Sequence, residues 1–333
     1  MRERKDVVQV KEKHKKSLLT MSNVVGVGTG FKSKNGRRGD LCVVALVSQK
    51  VPRAGLAEAD IVPREIDGVS TDVIQVGQIR AHPARTDRWR PALGGVSIGH
   101  VDVTAGTLGV VVRDRASGRR LVLSNNHVLA NSNQAEIGDS ILQPGRADGG
   151  TVAEDVFATL LRACPIAFTS GPPTCSLALA YASFGNTIAK LAGSKHRIEA
   201  TWSDPQAVNR VDAAVAQPLQ DQDLLDEIYE IGLIKGSMPA ELGMNVRKSG
   251  RTTGLTNGQI IVLDATVKVQ YGARTAQFED QIVSTAMSQP GDSGSLLVAG
   301  EALLAVGLLF AGSDQATIYN PIDAVLSCLD VEL

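Results

Sequence analysis

Aromatic residues make up only 4% of this 333-residue chain, and none of its four cysteines forms a CxxC pair. So few rings leave little to stack on bases or sugars, which argues against a nucleic-acid or glycan platform. Cys42, Cys164, Cys175 and Cys328 are too sparse for the disulfide framework of a small secreted domain. No two His or Cys residues share a metal-ligand spacing, so no metal is expected. The formal net charge of −1 gives no electrostatic reason for a nucleic-acid or anionic-membrane partner. Lys11, Lys13, Lys15 and Lys16 alternate with acidic residues and read as a solvated helix face. No apolar run approaches the ~18 residues of a membrane helix, and Met1-Arg2-Glu3-Arg4-Lys5-Asp6 lacks the apolar core of a signal peptide. These absences predict a cytoplasmic protein with reduced thiols. Cys164 and Cys175 are the pair close enough in sequence to bridge.

What is present divides the chain. Its length suits one large domain and a smaller one. Residues 1–79 predict a small α/β domain: a charged amphipathic helix, a strand at Val24–Phe31, a hairpin signal at Lys34-Asn35-Gly36, and strands at Leu41–Val47 and Thr71–Gly77. Gly26-x-Gly28-x-Gly30 lacks the strand-loop-helix context of a phosphate loop and reads as a strand closely approached by another backbone. Residues 80–93, with Arg80, Pro83, Arg85, Arg88, Arg90 and Pro91, have the composition of a linker. Residues 94–333 alternate short apolar runs with Gly, Asn and Asp turns, the signature of a β-barrel or sandwich. Within them, residues 150–200 predict a helical insert whose stripe, Leu177, Tyr181, Phe184, Ile188 and Leu191, packs on the barrel.

Three segments carry chemistry. Gly291-Asp292-Ser293-Gly294 sets a serine between glycines, just before the apolar run Leu296-Leu297-Val298. A serine hydroxyl becomes a nucleophile only when a base takes its proton and N–H groups receive the oxyanion. His127 closes the apolar run Leu121–Ser124 and supplies such a base. Asp212, alone among small apolar residues, is costly to bury unless something hydrogen-bonds to it, and an imidazole N–H would do so. The rivals are weaker. Asp204 precedes Pro205 in a loop and Asp155 sits in the insert, while His14, His82, His100 and His196 lie in segments without such a pattern.

The order His127, Asp212, Ser293 is that of chymotrypsin-type enzymes. With Thr107–Val112, Ile141–Gly145, Lys248–Thr256 and Ile318–Ile322, the chain resembles a trypsin-like (chymotrypsin-fold) serine protease of the bacterial type over residues 93–333. Within that family it is similar to the branch related to the plant narrow-leaf proteins. The resemblance implies a mainly β, double-barrel protease domain with a helical insert, after a small α/β N-terminal domain. It implies a serine endopeptidase that needs no cofactor, with an oxyanion hole from the N–H groups of Gly291 and Ser293. Met287 stands where a trypsin carries its specificity aspartate, so cleavage after Lys or Arg is not expected. With Phe310 it would shape a pocket for a small or medium apolar residue. Ser295 replaces a glycine of animal trypsins, and no Ile-Val-Gly-Gly terminus signals zymogen activation. The expected partner is a protein or peptide substrate, with a regulatory partner on the insert or the N-terminal domain as a further possibility. The alternatives are a partner-gated or inactive scaffold, an esterase on the same triad, and self-cleavage in the Arg-rich segment.

Overall fold

Apolar residues at every second position build the larger share of this protein's regular structure from strands, paired mainly antiparallel. The computed structural model describes residues 3–34, 37–77, 83–300 and 302–333. Of the residues named above, Met1, Arg2, Asn35, Gly36, Arg80 and His82 lie outside that set. The chain divides into two compact units, Met1–His82 and Pro83–Leu333.

In the first unit, helix Arg4–Leu19 buries Val7 and Leu18 against Val43 and Val69. Strand Val24–Lys34 pairs antiparallel with Arg37–Val47, which pairs parallel with Val69–Gln75. Glu65–Ile66 forms the far edge. The glycine run lies in the first of these strands. A Cβ on Gly26 or Gly30 would stand 3.1 Å from Leu46 or 3.0 Å from Val44. What crowds these glycines is therefore side chains of the paired strand.

The second unit holds two antiparallel barrels. In the first, strands run in the order Val110–Asp114, Arg120–Ser124, Ala214–Pro218, Val156–Ala163, Ser140–Leu142, Ser97–His100 and Gly106–Thr107. Gly106–Thr107 leads directly into Val110–Asp114. Between them the Leu108 amide bonds Val96 O and the Gly109 amide bonds Leu123 O, which closes the ring. In the second barrel the order is Arg274–Thr285, Gly254–Tyr271, Asn245–Gly250, Leu296–Ala299, Leu304–Gly312 and Ala316–Pro321. The last strand pairs back onto the first of these. Strand Arg120–Ser124 shows how the barrels join. Val122 faces the first barrel's core, while Leu121 and Leu123 face a shared cluster with Leu296, Leu308 and Val325.

Three expectations are corrected. Residues 83–93 are not a free linker, because their charges find partners on the barrels. Arg85 donates to Ser249 Oγ at 2.7 Å and lies over Tyr229, the Trp89 amide donates to Gln143 Oε1 at 2.8 Å, and Arg90 lies over Phe157.

Secondly, the insert is narrower than 150–200 and faces the other way. Val156–Ala163 is a barrel strand, and the helix is Ser176–Leu191. Its small side, Ala182 with Gly185 and Asn186, lies along the returning chain, where Asn186 exchanges two hydrogen bonds with the Ile198 backbone. The stripe Leu177, Tyr181, Phe184, Ile188 and Leu191 is 51 to 85% exposed. Periodicity finds a stripe but not what covers it.

Thirdly, Cys164 is bonded to Cys328, 6.3 Å apart at Cα, and not to Cys175. The thiols therefore are not all reduced. Sequence distance gave no hint of a partner 164 positions away.

Among the described residues no helix is long and apolar enough to cross a membrane. Two measurements check the corrections. Phe184→Ala is expected to change the unfolding free energy in urea by less than about 0.5 kcal/mol, where a packed phenylalanine would cost about 3–5 kcal/mol. Thiol titration of the denatured, unreduced protein is expected to count two free thiols, Cys42 and Cys175.

Candidate active site

His127 sits on the one-turn helix Asn126–Leu129, entered directly from strand Arg120–Ser124. Asp212 precedes strand Ala214–Pro218, which pairs with Arg120–Ser124 through Ala214 and Ser124. That register sets the two side chains side by side, with His127 Nδ1 2.6 Å from Asp212 Oδ2. The carboxylate is fully buried, and among the described residues no Lys or Arg pairs with it, so its charge rests on its hydrogen bonds and on His127. It accepts from the His127 amide at 3.2 Å, from the ring nitrogen, and from the Tyr271 hydroxyl at 2.7 Å. Its backbone is fixed from both barrels: Asn125 Nδ2 donates to Asp212 O, and the Asp212 amide donates to Asn320 Oδ1. Of the rivals, Asp204 caps the Gln206 amide and Asp155 closes a turn onto Thr151. The His100 ring meets Asp139, the His196 amide donates to Ser194 Oγ, and within the first unit the His14 ring meets Asp67.

Ser293 enters from the second barrel on a turn that only glycine permits at two points. Gly291 has φ +99° and Gly294 has φ +95°, and a Cβ on Gly294 would lie 2.1 Å from Ser124 Oγ. The Ser293 carbonyl accepts the Thr107 amide at 2.7 Å. A Cβ on Gly106 would touch both Ser293 O and the methyls of Val128, so the serine lies against the His127 turn. Within this turn the Asp292 amide bonds Gln289 O and the Gly294 amide bonds Leu309 O. Among the described residues the amides of Gly291 and Ser293 have no acceptor.

The turn is held by Asp292, buried with Lys248 at 3.2 Å. Its carboxylate accepts from the Thr252, Thr253 and Gln289 amides, from Thr253 Oγ1 and from Lys248 Nζ. Burial pushes the Lys248 ammonium below its ordinary value by more than Asp292 raises it. For Asp292 burial works upward, but the Lys248 charge and the bonds from Thr253 and Gln289 outweigh it, and the carboxyl ends lowered. The uncharged donors satisfy the carboxylate's other lone pairs and so offset part of the cost of burying the pair.

A cavity of 210 Å³ opens beside Ser293, walled by Ser288, Gln289 and Pro290 on one side and by Leu309 and Ala311–Asp314 on the other. Met287 and Phe310 are not among its walls, which corrects their assignment as pocket residues. Met287 is buried with its sulfur accepting from Ser284 and Tyr319, and Phe310 packs against Phe278 with the rings tilted and 4.7 Å apart. The strand's pairing shifts register between Leu309 and Ala311, which both border the cavity, while Phe310 lies in the core with Phe168, Ala276 and Phe278.

No family model matches the chain. Streptogrisin-A of Streptomyces griseus is 27% identical over 241 residues, 68% of this chain and 78% of that protein. Serine protease 2 of Streptomyces fradiae is 31% identical over 163 residues, 44% of this chain and 91% of its own length. This chain belongs to the chymotrypsin-like bacterial serine proteases. It is a serine-type endopeptidase. A solved Nocardiopsis protease covers 72% of this protease and 97% of its own chain at 18% identity, with a TM-score of 0.46. These matches lend no support to a plant-related branch.

Sequence reading missed Tyr271 and Lys248 in this protease. Tyr271 carries no motif. Lys248 had a signal: it is the lone charge at an inward position of strand Asn245–Gly250, whose last three residues are all buried. Breaking the pair with Lys248→Met should cost about 3–5 kcal/mol, because it strands a buried carboxylate. A lowered carboxyl adds stability above its unfolded value of about 4, and that stability is lost as pH falls through the folded value. Urea unfolding between pH 2 and 6 should therefore show a shallower acid loss in Asp292→Asn than in the parent.

Proposed function

We propose that this endopeptidase works through a His127–Asp212–Ser293 triad on a protein or peptide substrate. The observation that carries the reading is the 2.6 Å His127–Asp212 contact, together with a serine turn whose Gly291 and Ser293 amides have no acceptor among the described residues. His127 takes the Ser293 proton as Oγ attacks the scissile carbonyl carbon, and later gives it to the leaving amine. Asp212 holds the Nδ1–H tautomer and stabilises the imidazolium. The amides of Gly291 and Ser293 receive the negative charge that develops on the carbonyl oxygen. Each such donor is worth on the order of 10²–10³ in rate.

The cavity beside Ser293 is smaller than the ~300–1,000 Å³ of ordinary ligand sites, which suits one substrate side chain. Pro290, Leu309 and Ala311 supply the apolar part of a wall that Ser288, Gln289, Ser313 and Asp314 complete, and the cavity's size suits a small or medium apolar residue. A second reading, partner-gated activity, is favoured by the exposed stripe on helix Ser176–Leu191. Strands at the base of this helix, Ser170–Gly171 and Trp202–Ser203, extend the second sheet at Arg274–Thr285. The cytoplasmic location suggested by composition is opposed by the Cys164–Cys328 cystine, which favours an oxidising compartment.

A fluorophosphonate probe tests the triad. Labelling is expected on Ser293 alone, lost in Ser293→Ala, and slowed by about 10⁴ in Asp212→Asn. Casein cleavage alongside labelling would support the endopeptidase reading. Turnover of short acyl esters without peptide cleavage would favour an esterase, and a folded but unlabelled protein a gated or inactive scaffold.

A further inference from the structure

Strand Gly254–Tyr271 and strand Arg274–Thr285 form a long hairpin, with Tyr271 paired to Arg274 across a two-residue tip, Gly272 and Ala273. Gly272 has φ +58°, as a tight hairpin turn requires. The tip carries the Tyr271 hydroxyl to 2.7 Å from Asp212 Oδ2, the same oxygen that faces His127 Nδ1. The Tyr271 ring meets the His127 ring edge-on at 5.8 Å and is boxed by Phe168 at 5.9 Å and Phe278 at 6.3 Å. Burial, then the Asp212 charge, pushes this hydroxyl well above its ordinary value, so it stays protonated and donates.

From this geometry, and resting on the triad reading above, we infer that Tyr271 is a positioning residue for catalysis: its hydroxyl holds Asp212, and its ring holds the edge of His127. Two donors share Oδ2, so the carboxylate is fixed in the plane that meets Nδ1, and part of its charge is drawn away from the imidazole. The insert is coupled to this arrangement. Ser170 pairs with Thr275, the Thr169 amide bonds Thr275 O, and the Arg274 guanidinium lies 4.0 Å over Phe168. The base of the insert therefore braces the hairpin tip that presents Tyr271. Among the described residues Asp212 and Tyr271 are the titratable groups that meet the His127 ring; Arg274, from the same hairpin, is turned onto Phe168.

The test is the rate of fluorophosphonate labelling against pH, for the parent and for Tyr271→Phe, which keeps the ring and removes only the hydroxyl. In this reaction Ser293 Oγ bonds to phosphorus, fluoride leaves, and the hydroxyl proton passes to His127. Losing the hydroxyl returns charge to Asp212, which favours the imidazolium. The variant is expected to label about ten times more slowly at its plateau, with the pH midpoint moved upward by about half a unit and the thermal unfolding midpoint within a few degrees of the parent. Identical rate and midpoint in the two proteins would overturn the inference while leaving the triad standing. A slower rate with an unmoved midpoint would assign Tyr271 a purely structural role and overturn it as well. A parent protein that does not label at all would sink the triad reading, and this inference with it. A measurement on the unaltered protein stands apart from the variant's folding. The Tyr271 hydroxyl proton and the His127 Nδ1 proton, both donated to one oxygen, should show a nuclear Overhauser contact, and its absence would overturn the inference.

Discussion

One buried carboxylate, Asp292, fixes the geometry on which the active site depends. A nucleophile on a glycine-flanked turn has no rigidity of its own, because the glycines that permit the turn also permit others. Five donors converging on Asp292 remove that freedom. They come from the turn itself, through Gln289, and from strand Asn245–Gly250 and the residues just after it, through Lys248, Thr252 and Thr253. Thr107 of the first barrel then ties in the same turn, donating to Gly291 O and accepting from the Arg251 amide. The guanidinium of Arg251 in turn pairs with Asp148 of the first barrel. The amides of Gly291 and Ser293, proposed above as the oxyanion donors, thus sit on a turn fixed before any substrate arrives, which is the condition for electrostatic catalysis.

The two barrels divide the labour. His127 and Asp212 come from the first and Ser293 from the second, so their relation depends on how firmly the barrels are packed. Leu121, Leu123, Leu296, Leu308 and Val325 share one apolar cluster between them. Such a contact is close-packed and resists sliding. Polar links at the same seam, such as Asp212 to Asn320, fix the register that packing alone would leave free.

What was legible in the sequence follows from what each signal physically encodes. His127, Asp212 and Ser293 stood out because each departs from its local background: a base ending an apolar run, a carboxylate among small apolar residues, a serine between glycines. The barrels were legible as alternation. Partners across long separations were not, which is why Cys328, Lys248 and Tyr271 went unread. Met287 and Phe310 failed for a different reason. Distance from Ser293 along the chain does not say which way a side chain points, and both lie in the core. The helical stripe failed likewise: its period was right, yet the small face of Ala182, Gly185 and Asn186 packs inward.

The Cys164–Cys328 bond has a topological consequence. It closes a covalent ring containing the insert, Asp212, the whole second barrel and Ser293, with His127 on the tail outside it. A backbone cut anywhere between residues 164 and 328 opens this ring without producing two separable pieces. Helix Ser176–Leu191, exposed and contained in the ring, is the kind of segment that proteolysis reaches first. A molecule nicked there keeps both halves of its active site on one covalent body, so in an environment rich in peptidases the scission becomes a change of chain count rather than a loss of the enzyme.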